Sequence, residues 1–332
     1  GITLTSTNLE LAVSATIRAK VEEEGVFTLP AKLFFDIVSS LQGEKVDCIL
    51  EKEKCAITSG SFKGALKGTV ADEFPLIPKV GSEPSVLLPR AIIERMCTNV
   101  LFASAKNDPR QELQGVFVNL DMQGILTVAA TDSYRLAELK VVLGVTPTKE
   151  FSVVVPRGTL EEVGRILHSV SAEEAEHVAL TVEENQILFT LGGVQVVSRL
   201  TEGKYPEYQG IIPKTLPTNA SVSRAALTRT IKSTSLFAST GLHEVTLKLK
   251  PSESVIDIAA HSDTIGEGAS QVISDIVGEE VTAVFNYQYL LEGLSVLEGD
   301  AITMGATDGN APAIFRASGK EDYLYLVMPI KQ

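Results

Sequence analysis

Five times along the chain, a short run alternating apolar and polar residues ends at one punctuating residue and gives way to apolar positions at helical spacing. The copies are Val26 to Pro30 into Ala31 to Leu41, Ser85 to Arg90 into Ala91 to Leu101, and Phe151 to Arg157 into Gly158 to Leu167. The last two are Ala220 to Arg224 into Ala225 to Phe237, and Val281 to Asn286 into Tyr287 to Leu297. The punctuating positions 30, 89, 156, 223 and 286 are Pro, Pro, Pro, Ser and Asn, at intervals of 59, 67, 67 and 63 residues. Proline needs no donor at a helix start, and Ser or Asn caps one, so each position predicts a helix N-terminus. After each helix the pattern alternates through a hairpin: Val46 to Ile57, Val116 to Ala130, Val178 to Leu191, Val245 to Ala260 and Ala301 to Phe315.

A longer period encloses this one. Phe74-Pro75, Tyr205-Pro206 and Met328-Pro329 close successive stretches 131 and 123 residues apart, and Ile2 to Asn8 aligns with Leu126 to Asp132. Two helix-plus-hairpin units therefore make a domain. The expectation is an α+β chain of three topologically similar domains, residues 1–82, 83–213 and 214–332, with helices on one face of antiparallel sheet. On this alignment the chain begins mid-domain, and the first domain lacks its N-terminal strand and helix. A two-domain enzyme with coincidental helix starts fits five near-constant intervals poorly.

Composition narrows the function. With 332 residues, 44% apolar and 21% charged, the chain is globular. Twenty-nine basic against forty-two acidic residues leave a net charge of −13, which argues against holding nucleic acid tightly by charge alone. Cys48, Cys55 and Cys97 are few and odd in number, which suits a reducing compartment. With no apolar run of spanning length and no basic-then-apolar leader, a cytoplasmic location is expected.

Catalytic signatures are scarce. There is no Gly-x-Ser-x-Gly elbow and no phosphate loop, and Gly266-Glu267-Gly268 lacks the context of a nucleotide fingerprint. His168, His177, His243 and His261 stand apart without ligand spacing, so no metal or cofactor is expected. Thr131-Asp132-Ser133 and Thr307-Asp308-Gly309 read as turns rather than calcium loops. Asn219-Ala220-Ser221 fits a glycosylation sequon that is inert in a cytoplasmic chain. Basic residues, by contrast, gather on the repeat helices: Arg90, Arg95, Arg157, Arg165, Arg224, Arg229 and Lys232. On the fourth helix Leu227 and Ile231 share an apolar stripe, which leaves Thr228, Lys232 and Ser235 on another face. For one helix alone, a solvated face is an equal reading. Repetition over several helices favours a lining that faces phosphates.

Three motifs carry a resemblance. Ala130-Thr131-Asp132-Ser133-Tyr134-Arg135-Leu136-Ala137, Ser198 to Tyr208 and Tyr325-Leu326-Val327-Met328-Pro329-Ile330, in this order, resemble the bacterial DNA polymerase III beta subunit, the replicative sliding clamp. The likeness extends over essentially the whole chain. It implies the DNA clamp fold, in which a head-to-tail homodimer closes a ring with sheets outside and helices lining a hole for duplex DNA. Such a protein tethers others and catalyses nothing. Enclosure also accounts for the acidity, because a topological link needs only weak phosphate contacts.

The resemblance further implies a peptide and partner groove formed by Leu113, Thr131, Ser133, Tyr134, Arg135, Leu136, Pro206, Ile211, Asn286, Tyr289, Leu326, Met328, Pro329 and Ile330. Sequence-blind DNA contacts are expected from Arg90, Arg95, Lys106, Arg110, Arg165, Arg224, Arg229 and Lys232, and a dimer contact from Leu236 and Phe237. The implied partners are duplex DNA, the DNA polymerase III catalytic subunit, the clamp-loader complex, other polymerases and repair proteins bearing short clamp-binding peptides, and a second copy of the chain. The family pattern continues past Met-Pro-apolar with Arg and an apolar residue. Here Lys331-Gln332 follow, a departure at the groove's C-terminal rim. A repeat-built peptide-binding scaffold that does not encircle DNA is the alternative, and an enzyme whose site escapes motif reading is a third.

Overall fold

The computed structural model describes every residue except Lys79, Ser82, Thr240, Leu242 and Gln332. The expected boundary after residue 82 and the departure at Gln332 thus fall on residues outside the description. Among the described residues, five α-helices begin where the pattern puts them: α1 (Ala31–Ser40), α2 (Arg90–Arg95), α3 (Arg157–Ser169), α4 (Arg224–Thr234) and α5 (Tyr287–Val296). Their N-caps are Pro30, Pro89, Pro156, Ser223 and Asn286. Ser223 Oγ accepts the Ala226 N–H at 3.4 Å and Asn286 Oδ1 accepts the Gln288 N–H at 2.9 Å, each satisfying one orphan donor of the first turn.

One helix departs from its pattern. The spacing predicts regular helix to Leu101, yet α2 stops at Arg95 and continues as a π turn at Met96–Val100 and a 3₁₀ turn at Leu101–Ala103. The altered stretch faces the last third of the chain. Tyr323 donates its hydroxyl to Asn99 O at 2.7 Å, and Asn99 Nδ2 donates to Val296 O at 3.3 Å. Contacts made across the molecule have overridden local spacing here.

The hairpins form as predicted, and long-range pairing joins them into two large antiparallel sheets of six and twelve strands. In the six-stranded sheet, Leu11–Ile17 pairs with Val194–Arg199, which ties the first third of the chain to the second. In the twelve-stranded sheet, Arg135–Val142 pairs with Tyr323–Val327, setting Arg135 against Val327 and Leu136 against Leu326. The second and third units thus share one hydrogen-bonded sheet. α2 packs with α3 and α4 with α5, and Leu227 and Ile231, the stripe read on α4, are wholly buried.

Apolar packing is uneven. One continuous core runs from Val86 to Val327. The first unit has a small separate core of Cys55, Ile57 and Leu66, and no residue of its helix α1 is buried.

Candidate partner groove and basic surface

The residues expected to form the groove centre on the turn between strands Ile125–Thr131 and Arg135–Val142. Asp132 Oδ1 accepts the N–H groups of Tyr134 and Arg135 at 3.0 and 3.1 Å, while Thr131 Oγ1 donates to Arg135 O at 2.6 Å and accepts from Ser133 N. Those bonds hold Ser133 in the left-handed region, at φ 77°. The turn pushes Tyr134 outward, 63% exposed, and turns Arg135 inward, 7% exposed.

Two other segments dock on this turn. Tyr205 OH accepts the Thr131 N–H at 3.0 Å, fixing the Tyr205-Pro206 corner. Tyr208 OH donates to Glu138 Oε2 at 2.5 Å, and Phe117 stacks on Tyr205 with ring centroids 5.3 Å apart. Burial pushes both phenols above their ordinary range, so they act as neutral hydrogen-bonding anchors. From the third unit, Met328 N donates to Tyr134 O at 2.8 Å and Ile330 N to Val284 O at 2.7 Å. Met328 packs on the cluster of Leu136, Tyr205, Tyr208, Ile314 and Leu326.

Of the residues expected at the groove, Ser133, Tyr134, Pro206 and Ile211 form an exposed rim, and Tyr289, Met328 and Ile330 are half-buried. Leu113, Leu136 and Leu326, expected among the contact residues, have no exposed surface and pack behind that rim. Thr131 and Pro329 are buried too, and Asn286 caps α5. Arg135 is likewise no free ligand for a peptide. Its guanidinium bonds Asp132, Glu292 and the Phe102 carbonyl. Burial opposes its charge, but Tyr325, Glu292 and Asp132 more than reverse that, so its pKa is raised. Phe117, Glu138, Tyr205 and Tyr208 brace this turn although they are not among the expected site residues. The Tyr205-Pro206-Glu207-Tyr208 motif signals the two tyrosines in the sequence, whereas nothing there signals Phe117 or Glu138.

The basic residues divide into two kinds. Arg90, Arg157 and Arg224 are first residues of their helices, where the dipole disfavours a cation. Each reaches across to the C-terminal carbonyls of the neighbouring helix. Arg90 bonds Leu167, Val170 and Ser171 O, Arg157 bonds Leu101 and Ser104 O, and Arg224 bonds Leu294 and Gly299 O. Arg95 is paired with Asp322 at 2.7 Å. Internal acceptors thus engage Arg90, Arg95 and Arg224, three of the residues expected at DNA. Arg110 forks onto Asp108 at 2.9 Å and donates to Ser133 Oγ, which places it at the groove's turn. Its hydrogen bonds hold the Asp108 carboxyl below the usual range. Arg165, Arg229, Lys232 and Lys106 are exposed, Arg165 alongside Glu162.

Of the expected dimer pair, Leu236 is 73% exposed, whereas Phe237 lies half-buried over strand Gly266–Val277, where a Cβ on Gly268 would strike its ring. That strand has an open edge. Val255–Ser262 flanks it along its first eight residues, while Thr218–Ser223 pairs only with Ser274–Val277. Phe62–Lys67 is likewise an edge strand, at one end of its three-stranded sheet.

Comparison with known proteins accounts for this arrangement. Family models of the DNA polymerase III beta subunit match in order: the N-terminal domain at residues 1–78, the central domain at 87–207 and the C-terminal domain at 209–331. The chain belongs to the DNA polymerase III beta subunit family. Among its relatives, the beta sliding clamp of Synechococcus elongatus is 33% identical over 99% of this chain and 88% of its own length. The crystal structure of the Bacillus subtilis DNA polymerase sliding clamp matches with a TM-score of 0.93 at 29% identity, over all of this chain and 89% of that one. The Thermotoga maritima beta subunit matches at 0.91 and 27% identity, over 99% and 88%. The fold is the three-domain clamp fold that the resemblance implies, with the three similar α+β domains expected from the repeats, and the family is one of non-catalytic processivity factors.

Proposed function

We propose that this chain is a DNA sliding clamp: two copies close head to tail into a ring around duplex DNA and tether the replicative polymerase. The observation that carries this reading is the ordered match of three beta-subunit domains to one chain whose relatives are named sliding clamps. Ring closure pairs the open edge at Phe62–Lys67 with the open half of Gly266–Val277, beside Leu236. Such edges invite strand addition. DNA contacts come from Lys106, Arg165, Arg229 and Lys232, few enough to permit sliding under a net charge of −13. Domain boundaries fall after residues 82 and 213, and the working compartment is the cytoplasm. No helix among the described residues is long and apolar enough to cross a membrane, in keeping with that placement.

The groove receives short extended peptides from the DNA polymerase III catalytic subunit, the clamp loader, and other polymerases and repair proteins. An apolar pair seated against Pro206, Ile211 and Met328 supports micromolar affinity, since burying two large side chains contributes roughly 3 to 6 kcal/mol before ordering costs. Two measurements test the reading. Protein loaded on nicked circular DNA should survive gel filtration and be lost on linearisation; equal release from both forms would favour a scaffold that does not encircle DNA. In calorimetry with a peptide carrying an early Gln and a Leu-Phe pair, Met328→Ala and Tyr289→Ala should each cost about 1 to 3 kcal/mol. Wild-type affinity in both folded variants would place the groove elsewhere.

A further inference from the structure

Arg135 lies in the groove motif yet faces inward, and its contacts span two domains. On the central-domain side its Nε donates to Asp132 Oδ2 at 2.9 Å and an Nη donates to Phe102 O at 3.0 Å. On the third-domain side it pairs with Glu292 of α5, and its guanidinium carbon sits 4.5 Å from the centroid of the Tyr289 ring. Phe102 lies on it as well, at 5.4 Å, and stacks in turn near Tyr325. Tyr325 donates its hydroxyl to Tyr289 O at 2.9 Å, which closes the circuit on the residue that walls the groove.

We infer that Arg135 is the positioning residue of the partner groove, a bracket that fixes the Tyr289 wall against the Tyr134 turn without touching the peptide. This rests on the groove reading above. The chemistry requires arginine. Only a planar guanidinium can fork to Asp132, reach Glu292 and a backbone carbonyl, and lie flat on an aromatic ring at once; a lysine ammonium carries the charge but not the plane. The turn supplies the rest, because Asp132 both caps the turn through Oδ1 and holds the guanidinium through Oδ2. A shift of the third domain relative to the central one would therefore displace Tyr289 and the 131–135 turn together.

The test is a double-mutant cycle on the full chain, read by calorimetry with the synthetic peptide carrying an early Gln and a Leu-Phe pair. Arg135→Lys should weaken binding about tenfold. In a Tyr289→Ala background the same change should add almost nothing, because the wall it positions is gone. Glu292→Gln, which removes one half-exposed partner and leaves the core untouched, should weaken binding in the same direction by a smaller factor, and it serves if Arg135→Lys does not fold. Full additivity of Arg135→Lys and Tyr289→Ala would overturn the inference, as would wild-type affinity in folded Arg135→Lys or, in its place, in Glu292→Gln. Absence of binding by the wild-type chain would overturn the groove reading itself, and this inference with it.

Discussion

Cys97 shows how much one side chain's surroundings decide. Its Sγ donates to Leu160 O at 3.3 Å, and burial, with Glu94 adding to it, pushes the thiol from an ordinary 9.0 up to about 12. Cys48 is exposed. At pH 8, iodoacetamide should label Cys48 in the native protein and reach Cys97 only on unfolding; mass spectrometry showing stoichiometric native labelling of Cys97 would contradict this. The sign for stability follows from the raised value. The contribution of the protonated thiol is intact below 9.0 and is lost as pH climbs through about 12. The small, odd number of cysteines argued against a disulfide framework but carried no information on which cysteine is reactive, because reactivity depends on what packs around it.

The helices obey local rules at their starts and tertiary rules along their lengths. Five helix starts were legible because proline at the boundary, or a Ser or Asn that caps a residue two or three on, is a local signal. The basic first residues were legible as basic, but their partners were not: Arg90 and Arg157 cap each other's helices, α3 and the extension of α2, and only packing brings those ends together. Gly293 in α5 sharpens the contrast. By helix propensity Gly293→Ala should stabilise the chain by about 1 kcal/mol. In the fold, the new Cβ would land on the Tyr325 ring, whose hydroxyl is anchored to Tyr289 O. Chemical denaturation should therefore show Gly293→Ala destabilised, by about 1 to 2 kcal/mol net, since overpacking outweighs propensity. A stabilised variant would mean that α5 has room to shift.

For the whole molecule, the decisive features are joints and edges. Both sheets cross domain boundaries within one chain, through Leu11–Ile17 on Val194–Arg199 and Arg135–Val142 on Tyr323–Val327, and among the described residues Phe62–Lys67 and the first half of Gly266–Val277 each lack a strand on one side. Replacing Leu236 with Asp should convert dimers to monomers in light scattering, because it puts a charge in the contact proposed between those edges; an unchanged dimer mass would move the interface elsewhere. On DNA, Lys232→Ala should lower the logarithmic salt slope by about one, alike on unrelated sequences, whereas any preference among sequences would contradict phosphate-only contact.

The sequence by itself determined the repeat, the helix starts, the hairpins and the three-domain α+β order, because each follows from period and capping over a few neighbouring residues. It also carried the groove's motifs. The tertiary structure alone decided which motif residues face solvent. Leu136 and Leu326 are paired neighbours across a domain joint and so disappear into the core, while Tyr134, two residues from Leu136, stands out at the turn. Arg135, expected from the resemblance at the groove, is bonded inward, since the partners that satisfy its buried charge, Glu292 and the Tyr289 ring, come from a helix more than a domain away in the chain. Local chemistry is encoded by neighbours in sequence. Exposure and ionic partnership are set by neighbours in space, which the chain acquires only once its sheets have joined.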